Sequence, residues 1–556
     1  MKTRTLFISG ALILFTGFIG LSFRPQNSNE FEITKNLEIF GAVYKELNLL
    51  YVDEPKPGEL MKTGIDAMLQ SLDPYTVYYP ESDIEDYRFM TTGQYGGIGS
   101  LIRKSGEYVQ ITDPYEGYPA HKAGLIAGDV IVEVDGKSVK GMDSDEVSKV
   151  LKGAPGTKVK IKVKREGESS ELERTLTREE IKIKDVPYFG MIDAKTGYIK
   201  LTGFTQSASS EVKAAFYDLK GKGMKQLVFD LRGNGGGLLT EAVNIVGVFV
   251  PKGTVIVKQK GRAPNTNYTY PTKDNPLDTE IPLVVLVDEG SASASEIVSG
   301  AIQDLDRGVV IGQRSFGKGL VQQTRNLPYN TMVKLTISKY MTPSGRCVQK
   351  LDYSNKDKGG KATVMADSLL KKFKTKNGRD VFEGRGVDPD VMVNRKTYSR
   401  IATVLYTQNI IFDFATKFHR ENKSVATARD FRVTDNIYQE FLKFASAKDF
   451  SYKTASEEKF EELKKTAERE KYFTGAESEF AALLKKLQPN KEDDLVRFKD
   501  EIIDFLELEI VGRYYYQNGK IEHSLRADEE IQEALTLFSD PARYSSILSG
   551  KNTGKK

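Results

Sequence analysis

Between residues 186 and 395, short apolar runs alternate with helix-spaced segments, and this alternation constrains the fold more than any other feature of the chain. The runs are 197–201, 226–231, 283–287, 309–312 and 332–338, and helical spacing falls at 207–219, 238–248 and 295–304. The run Leu283-Val284-Val285-Leu286-Val287 has no polar face and reads as a buried strand. Strands alternating with helices predict an α/β layer fold over this stretch.

The flanking segments read differently. Residues 93–180 form a unit of short strands near 108–112, 130–135 and 158–164, with one helix at 144–151. Turn signals punctuate it at Gly124, Gly128-Asp129, Asp135-Gly136 and Pro155-Gly156. Before it, Leu37, Phe40, Val43, Tyr44 and Leu47 recur at helical spacing, and a second helix pattern runs 58–72. After residue 396 the text is helical. Its stripe Leu495, Phe498, Ile502 and Phe505 is expected to pack against the core or a partner protomer, and 457–471 reads as a solvated helix. At the N-terminus, Lys2 and Arg4 precede an apolar run that Arg24 and Pro25 close. This is the pattern of an export signal or, uncleaved, of an inner-membrane anchor. No cysteine follows the run, which excludes a lipoprotein anchor.

Composition narrows the chemistry. The 556 residues include three His, one Cys and no Trp, and the net charge is only +4. That balance gives no electrostatic case for nucleic acid. One cysteine excludes a disulfide framework and a Cys-based zinc cluster, and three scattered histidines argue against a metal site. No metal and no cofactor is expected. If the chain is a hydrolase, a group other than His moves the proton.

Three motifs could carry such chemistry, each at a strand end. Ser291-Ala292-Ser293-Ala294-Ser295-Glu296 opens a helix, where free N–H groups stabilise a developing oxyanion. Read structurally, Ser293 with Glu296 is a capping box. Phe316-Gly317-Lys318-Gly319, followed by Gln322, offers an amine that burial would turn into a general base. Gly312, Gly317 and Lys318 fit a phosphate loop, but Gly319 stands where that loop needs Ser or Thr. Asp230-Leu231-Arg232 with glycines 235–237 lets backbone N–H groups converge on an anion.

The ordered set of motifs resembles the C-terminal processing peptidases, or tail-specific proteases. The resemblance covers about residues 68–391. It includes Ser71-Leu72-Asp73-Pro74, Gly96-Gly97-Ile98-Gly99, Ala123-Gly124-Leu125, Asp230-Leu231-Arg232, Thr342-Pro343-Ser344-Gly345-Arg346 and Gly386-Val387-Asp388-Pro389-Asp390. The resemblance implies an α/β multidomain fold with a mixed-sheet protease core and flanking helices. A PDZ-like β-rich domain would accompany the core, and the helical N- and C-terminal regions, which lie largely outside the resemblance, are read from their apolar spacing. The corresponding divisions are 1–24 (signal or anchor), 25–92, 93–185 (PDZ), 186–395 (core) and 396–556. It implies a serine endopeptidase acting on exported proteins at or from their C-terminal region, with a Ser-Lys dyad. Ser293 takes the nucleophile's place, Lys318 the base's and Gln322 that of the residue orienting the lysine. The oxyanion donors would be the N–H of Ala294 and of Gly237 or Gly236. Many members carry Pro where this chain has Gly235. The loop Tyr95, Gly96, Gly97, Ile98 and Gly99 would receive a substrate's C-terminal carboxylate. Partners would be proteins or peptides with recognised C-termini, and a homo-oligomer or an adaptor. The membrane would enter only through the N-terminal segment, and the location would be periplasmic or otherwise extracytoplasmic. The rival readings are an inactive PDZ-containing scaffold and a nucleotide-binding enzyme.

Overall fold

The structure, a computed structural model, describes residues 28–357, 359–364 and 366–550. The segment 1–24, expected to be a signal or anchor, lies outside the described residues. Among the described residues no helix is long and apolar enough to cross a membrane.

A six-stranded sheet organises the core. Its order is Tyr188–Met191, Thr196–Lys200, Gln226–Asp230, Leu283–Val287, Val309–Gly312 and Val391–Met392. The first pair is antiparallel and every later pair is parallel. Both faces are covered, and the side chains divide between them with the two-residue period of a strand. Leu283, Val285 and Val287 join a cluster with helices Ala208–Gly221, Leu239–Val246 and Ala294–Asp304. Val284 and Leu286 face the other way, against Ile531, Ala534, Leu537 and Phe538 of helix Glu529–Ser539. The uniformly apolar run 283–287 therefore reflects burial on two faces, and the second cover comes from the far C-terminus.

The run at 332–338 is a strand, but of another sheet. Thr331–Met341 pairs antiparallel with Leu320–Leu327, Val77–Tyr79 and Val255–Gly261, in a five-stranded sheet beside the parallel one. That sheet carries the residues around Gln322 and brings the N-terminal Val77–Tyr79 to them.

Strands Tyr108–Pro114, Val130–Val134 and Lys158–Lys164 and helix Ser144–Leu151 fall where the sequence puts them. Ser100–Ser105, Leu172–Thr177 and the short Lys137–Ser138 complete a six-stranded sheet with those strands, Ser100–Ser105 at its edge. The N-terminal helices are Ser28–Leu50 and Pro57–Gln70, yet the stripe Leu37, Phe40, Val43 and Leu47 is exposed. The stripe of residues 495–505 packs elsewhere than expected. Leu495 and Ile502 are buried in a separate helical core with Phe414 and Phe441, because residues 401–511 hold enough apolar surface to close on themselves.

Candidate active site

Ser293 stands at the turn between strand Leu283–Val287 and helix Ala294–Asp304, with φ +55° and ψ −109°. A left-handed backbone is strained for a residue with a Cβ, and here it lifts the serine out of both flanking elements. The neighbouring serines are spent on the framework. The Ser291 hydroxyl donates to the Leu231 carbonyl at 2.9 Å and the Ser295 hydroxyl to the Asn234 carbonyl at 2.8 Å. Ser293 instead lines a cavity of about 390 Å³ that it shares with Lys318, Gln322, Lys334 and glycines 235–237.

Glu296 joins the serine turn to the lysine loop. It is fully buried, and its carboxylate accepts from the N–H of Ser293 (2.9 Å), Gly317 (2.7 Å) and Lys318 (2.8 Å) and from the Ser315 hydroxyl (2.6 Å). The buried Tyr340 hydroxyl sits 3.1 Å from the Ser293 carbonyl and 3.0 Å from that of Lys318. The capping box legible in the sequence is thus one half of a clamp whose other half is 22 residues away.

Lys318 is half-buried, and its Nζ lies 4.2 Å from the centroid of the Tyr75 ring. Burial pushes its amine down to about 8, Lys334 pushes the same way, and Glu296 and Asp73 oppose. Among the described hydrogen bonds none joins Lys318 Nζ to Ser293 Oγ. Gln322 lines the same cavity, and its amide nitrogen donates to the Thr336 hydroxyl at 3.2 Å, which donates in turn to Asp73 at 3.2 Å. Asp73 itself closes a turn, accepting from the N–H of Tyr75 and Thr76 at 2.8 Å each. Sequence reasoning about chemistry did not find Tyr75 and Asp73 as neighbours of the lysine. Their only signal was the motif Ser71-Leu72-Asp73-Pro74.

The candidate oxyanion donors separate. The Gly236 N–H already donates to Asn234 Oδ1 at 2.9 Å. The N–H groups of Gly237 and Ala294 donate to no protein group among the described residues, Ala294 being the first residue of its helix. Gly236 matters for space. A Cβ there would lie 2.8 Å from both the Ala292 carbonyl oxygen and the Ser293 Cβ, and 3.0 Å from the Ala294 nitrogen, at φ +100°. At Gly235 it would meet nothing within 4 Å.

In the β-rich unit, Tyr95, Gly96 and Gly97 belong to strand Gln94–Gly97, paired with Glu179–Lys182. Ile98 and Gly99 follow outside the strand, and their N–H groups donate to no protein group among the described residues. The edge strand Ser100–Ser105 comes next, available for pairing with an extended peptide. The histidines are elsewhere. His523 is buried against Glu507 at 2.9 Å, and His121 and His419 line a cavity between the β-rich unit and the C-terminal helices. Cys347 lies behind Gly319, and burial pushes its thiol up. Among the described residues no cluster of His, Cys, Asp and Glu could hold a metal.

Comparison with known proteins fits this architecture. The model for peptidase family S41 matches residues 195–354, and a PDZ domain model matches 110–165. A carboxy-terminal-processing protease of Bartonella bacilliformis is 35% identical over 353 residues, 63% of this chain and 81% of that protein. The chain belongs to this family of S41 carboxy-terminal-processing proteases. It is also 32% identical over 418 residues to a probable CtpA-like serine protease of Staphylococcus aureus, 73% of this chain and 81% of the relative. A photosystem II D1 C-terminal processing protease of known structure is 30% identical, covering 63% of this chain and 86% of its own, with a TM-score of 0.35. The S41 chain is a serine-type peptidase, and its PDZ domain binds peptide substrates. The likeness extends further than the sequence motifs do. Residues 401–538 match the C-terminal helical domain of probable PDZ-proteases. For this S41 peptidase, Gly236→Ala is expected to cut the rate of peptide cleavage by about 10²-fold, since displacements near 1 Å suffice for that. Alanine at Gly235 should cost far less. Steady-state assays of the two variants check the contrast.

Proposed function

We propose that the peptidase cleaves exported proteins near their C-termini by acyl transfer, with Ser293 as nucleophile and Lys318 as general base. The observation that carries this reading is the lysine amine held near 8 in the same cavity as the strained serine. Neutral Lys318 leaves the Tyr75 face and takes the Ser293 Oγ proton as Oγ attacks the peptide carbonyl. The N–H groups of Ala294 and Gly237 receive the oxyanion. Lys318 then gives its proton to the leaving amine. Water, deprotonated by the now neutral Lys318, attacks the ester, and Lys318 returns that proton to the departing Ser293 Oγ. Gln322 steadies the lysine through the Thr336–Asp73 chain. Gly236 shapes the turn and donates nothing to the oxyanion. The free N–H groups of Ile98 and Gly99 support the reading of the PDZ loop as a carboxylate receptor.

The test has two parts. An acylating β-lactone should leave its adduct on Ser293, located by mass spectrometry. A quenched fluorogenic peptide with a free C-terminus should be cleaved faster than its amide. An adduct on another residue would remove the nucleophile assignment, and equal rates would remove the C-terminal one.

The cavity also makes Lys334 an electrostatic partner of the base. Lys334→Met removes a positive neighbour, so the Lys318 pKa rises and the inflection of kcat/KM moves to higher pH. A pH profile that does not move, or moves down, contradicts this coupling.

A further inference from the structure

We propose that Asp528 and Glu530, at the start of the last long helix, are positioning residues for the peptidase site. They act through Arg232 and Gln313, and the proposal rests on the Ser293–Lys318 reading. Arg232 spreads its guanidinium over three carboxylates. Nε and Nη2 donate to Asp230 at 3.0 and 2.7 Å, and Nη1 lies 2.8 Å from Asp528 and 3.2 Å from Glu530. The second Glu530 oxygen accepts from the Gln313 amide at 2.8 Å. One side chain from the C-terminal region therefore touches two of the chain segments that build the site, those of the glycine turn and of the lysine loop.

Each contact leads directly to the site. Two residues past Arg232, the buried Asn234 accepts at its carbonyl from the Ala292 N–H (3.0 Å) and the Ser295 hydroxyl (2.8 Å). These residues flank Ser293. The Asn234 side chain also holds the Gly236 N–H, next to the free N–H of Gly237. Gln313 begins the loop that ends at Lys318, and its backbone N–H is fixed on the Val287 carbonyl. Arg232 and Gln313 thus mark the starts of the glycine turn and the lysine loop.

The geometry is that of a support rather than a chance surface pair. The side chains of Arg232, Asp528 and Glu530 are only 16%, 14% and 14% exposed. Such pairs are weakly screened by salt, and breaking one strands a charge that has little access to water. The carboxylates cannot drift, because Ile531, Ala534 and Leu537 of the same helix are buried on the central sheet. Asp230 lies within Arg232's own strand turn but also pairs with Lys200 at 3.2 Å, so the two distant carboxylates balance a cation that Asp230 alone does not. They also add direction, since a planar guanidinium held on two edges has one orientation.

The test uses the full chain carrying Asp528→Asn, Glu530→Gln or both. Asp528 also caps its helix, accepting from the Ile531 N–H at 3.0 Å, and asparagine keeps that bond. The double variant should therefore keep its helix and stay folded at the assay temperature, with a melting temperature lowered by the Arg232 charge it leaves behind. Its kcat on a quenched fluorogenic peptide should fall about tenfold to a hundredfold, with KM held within about twofold. The rate of β-lactone acylation at Ser293 should fall in parallel, and Asp528→Glu should recover part of the loss. Unchanged kcat in the double variant would overturn the proposal. A fall in melting temperature that tracks the loss of activity, with a rising KM and no recovery by Asp528→Glu, would overturn it in favour of a purely structural role. Cleavage retained by Ser293→Ala would instead overturn the dyad reading beneath it.

Discussion

Lys318→Ala and Lys318→Arg should each abolish peptide cleavage, as Ser293→Ala should, with losses on the order of 10³-fold or more. The arginine variant is the sharper test. It keeps charge and reach, but a guanidinium stays protonated at every working pH and cannot accept the serine proton. A wild-type enzyme relying on this amine has a predictable pH dependence. The working form is neutral, and the amine titrates near 8. Activity should rise with pH through about 8 and level off above it. At pH 7 only about a tenth of the molecules should hold a neutral lysine. Folding is not expected to fail in these variants, since the clamp on this loop uses the Lys318 backbone N–H and not its amine. Substantial cleavage by Lys318→Arg, or a rate that falls as pH rises from 6 to 9, would remove the base assignment.

How much of this was legible in the sequence depended on whether a feature was local. The run 283–287 announced a buried strand because both of its faces are covered. The Ser293 and Lys318 motifs stood out because strand-end turns need small residues. The capping box was visible too, since Ser293 and Glu296 are three apart. Its second role was not, because spacing along the chain says nothing about a loop that folds back from residue 317. The same holds for Tyr75, brought beneath Lys318 by the pairing of Val77–Tyr79 with Thr331–Met341. Arg232 read as part of a glycine turn, while its partners Asp528 and Glu530 lie almost 300 residues on. The exposed stripe of Ser28–Leu50 carries the opposite lesson. Periodicity identified the helix correctly, but helical periodicity alone does not say that the apolar face is covered within the chain.

Glu296→Gln should lower kcat about tenfold or more while leaving peptide binding to the PDZ domain intact. The carboxylate faces four donors, and all of its capacity is accepting. An amide has one accepting atom and one donating atom. Its less costly orientation points the NH₂ at Ser315 and Gly317. The Ser315 hydroxyl can turn to accept, but the Gly317 N–H is left buried without a partner, at about 1–3 kcal/mol. The opposite orientation would set the NH₂ against the N–H groups of both Ser293 and Lys318. Alanine strands all four donors and should lower the melting temperature more than glutamine does. The electrostatic effect has the other sign. Glu296 holds the Lys318 pKa up, so removing its charge lets that pKa fall. More lysine is then neutral at pH 7, and on protonation grounds alone the variant would be faster. A slower enzyme whose pH inflection has moved down therefore isolates alignment of Ser293 with Lys318 as the lost contribution. An enzyme that is faster at pH 7 would mean that the carboxylate merely restrains the base.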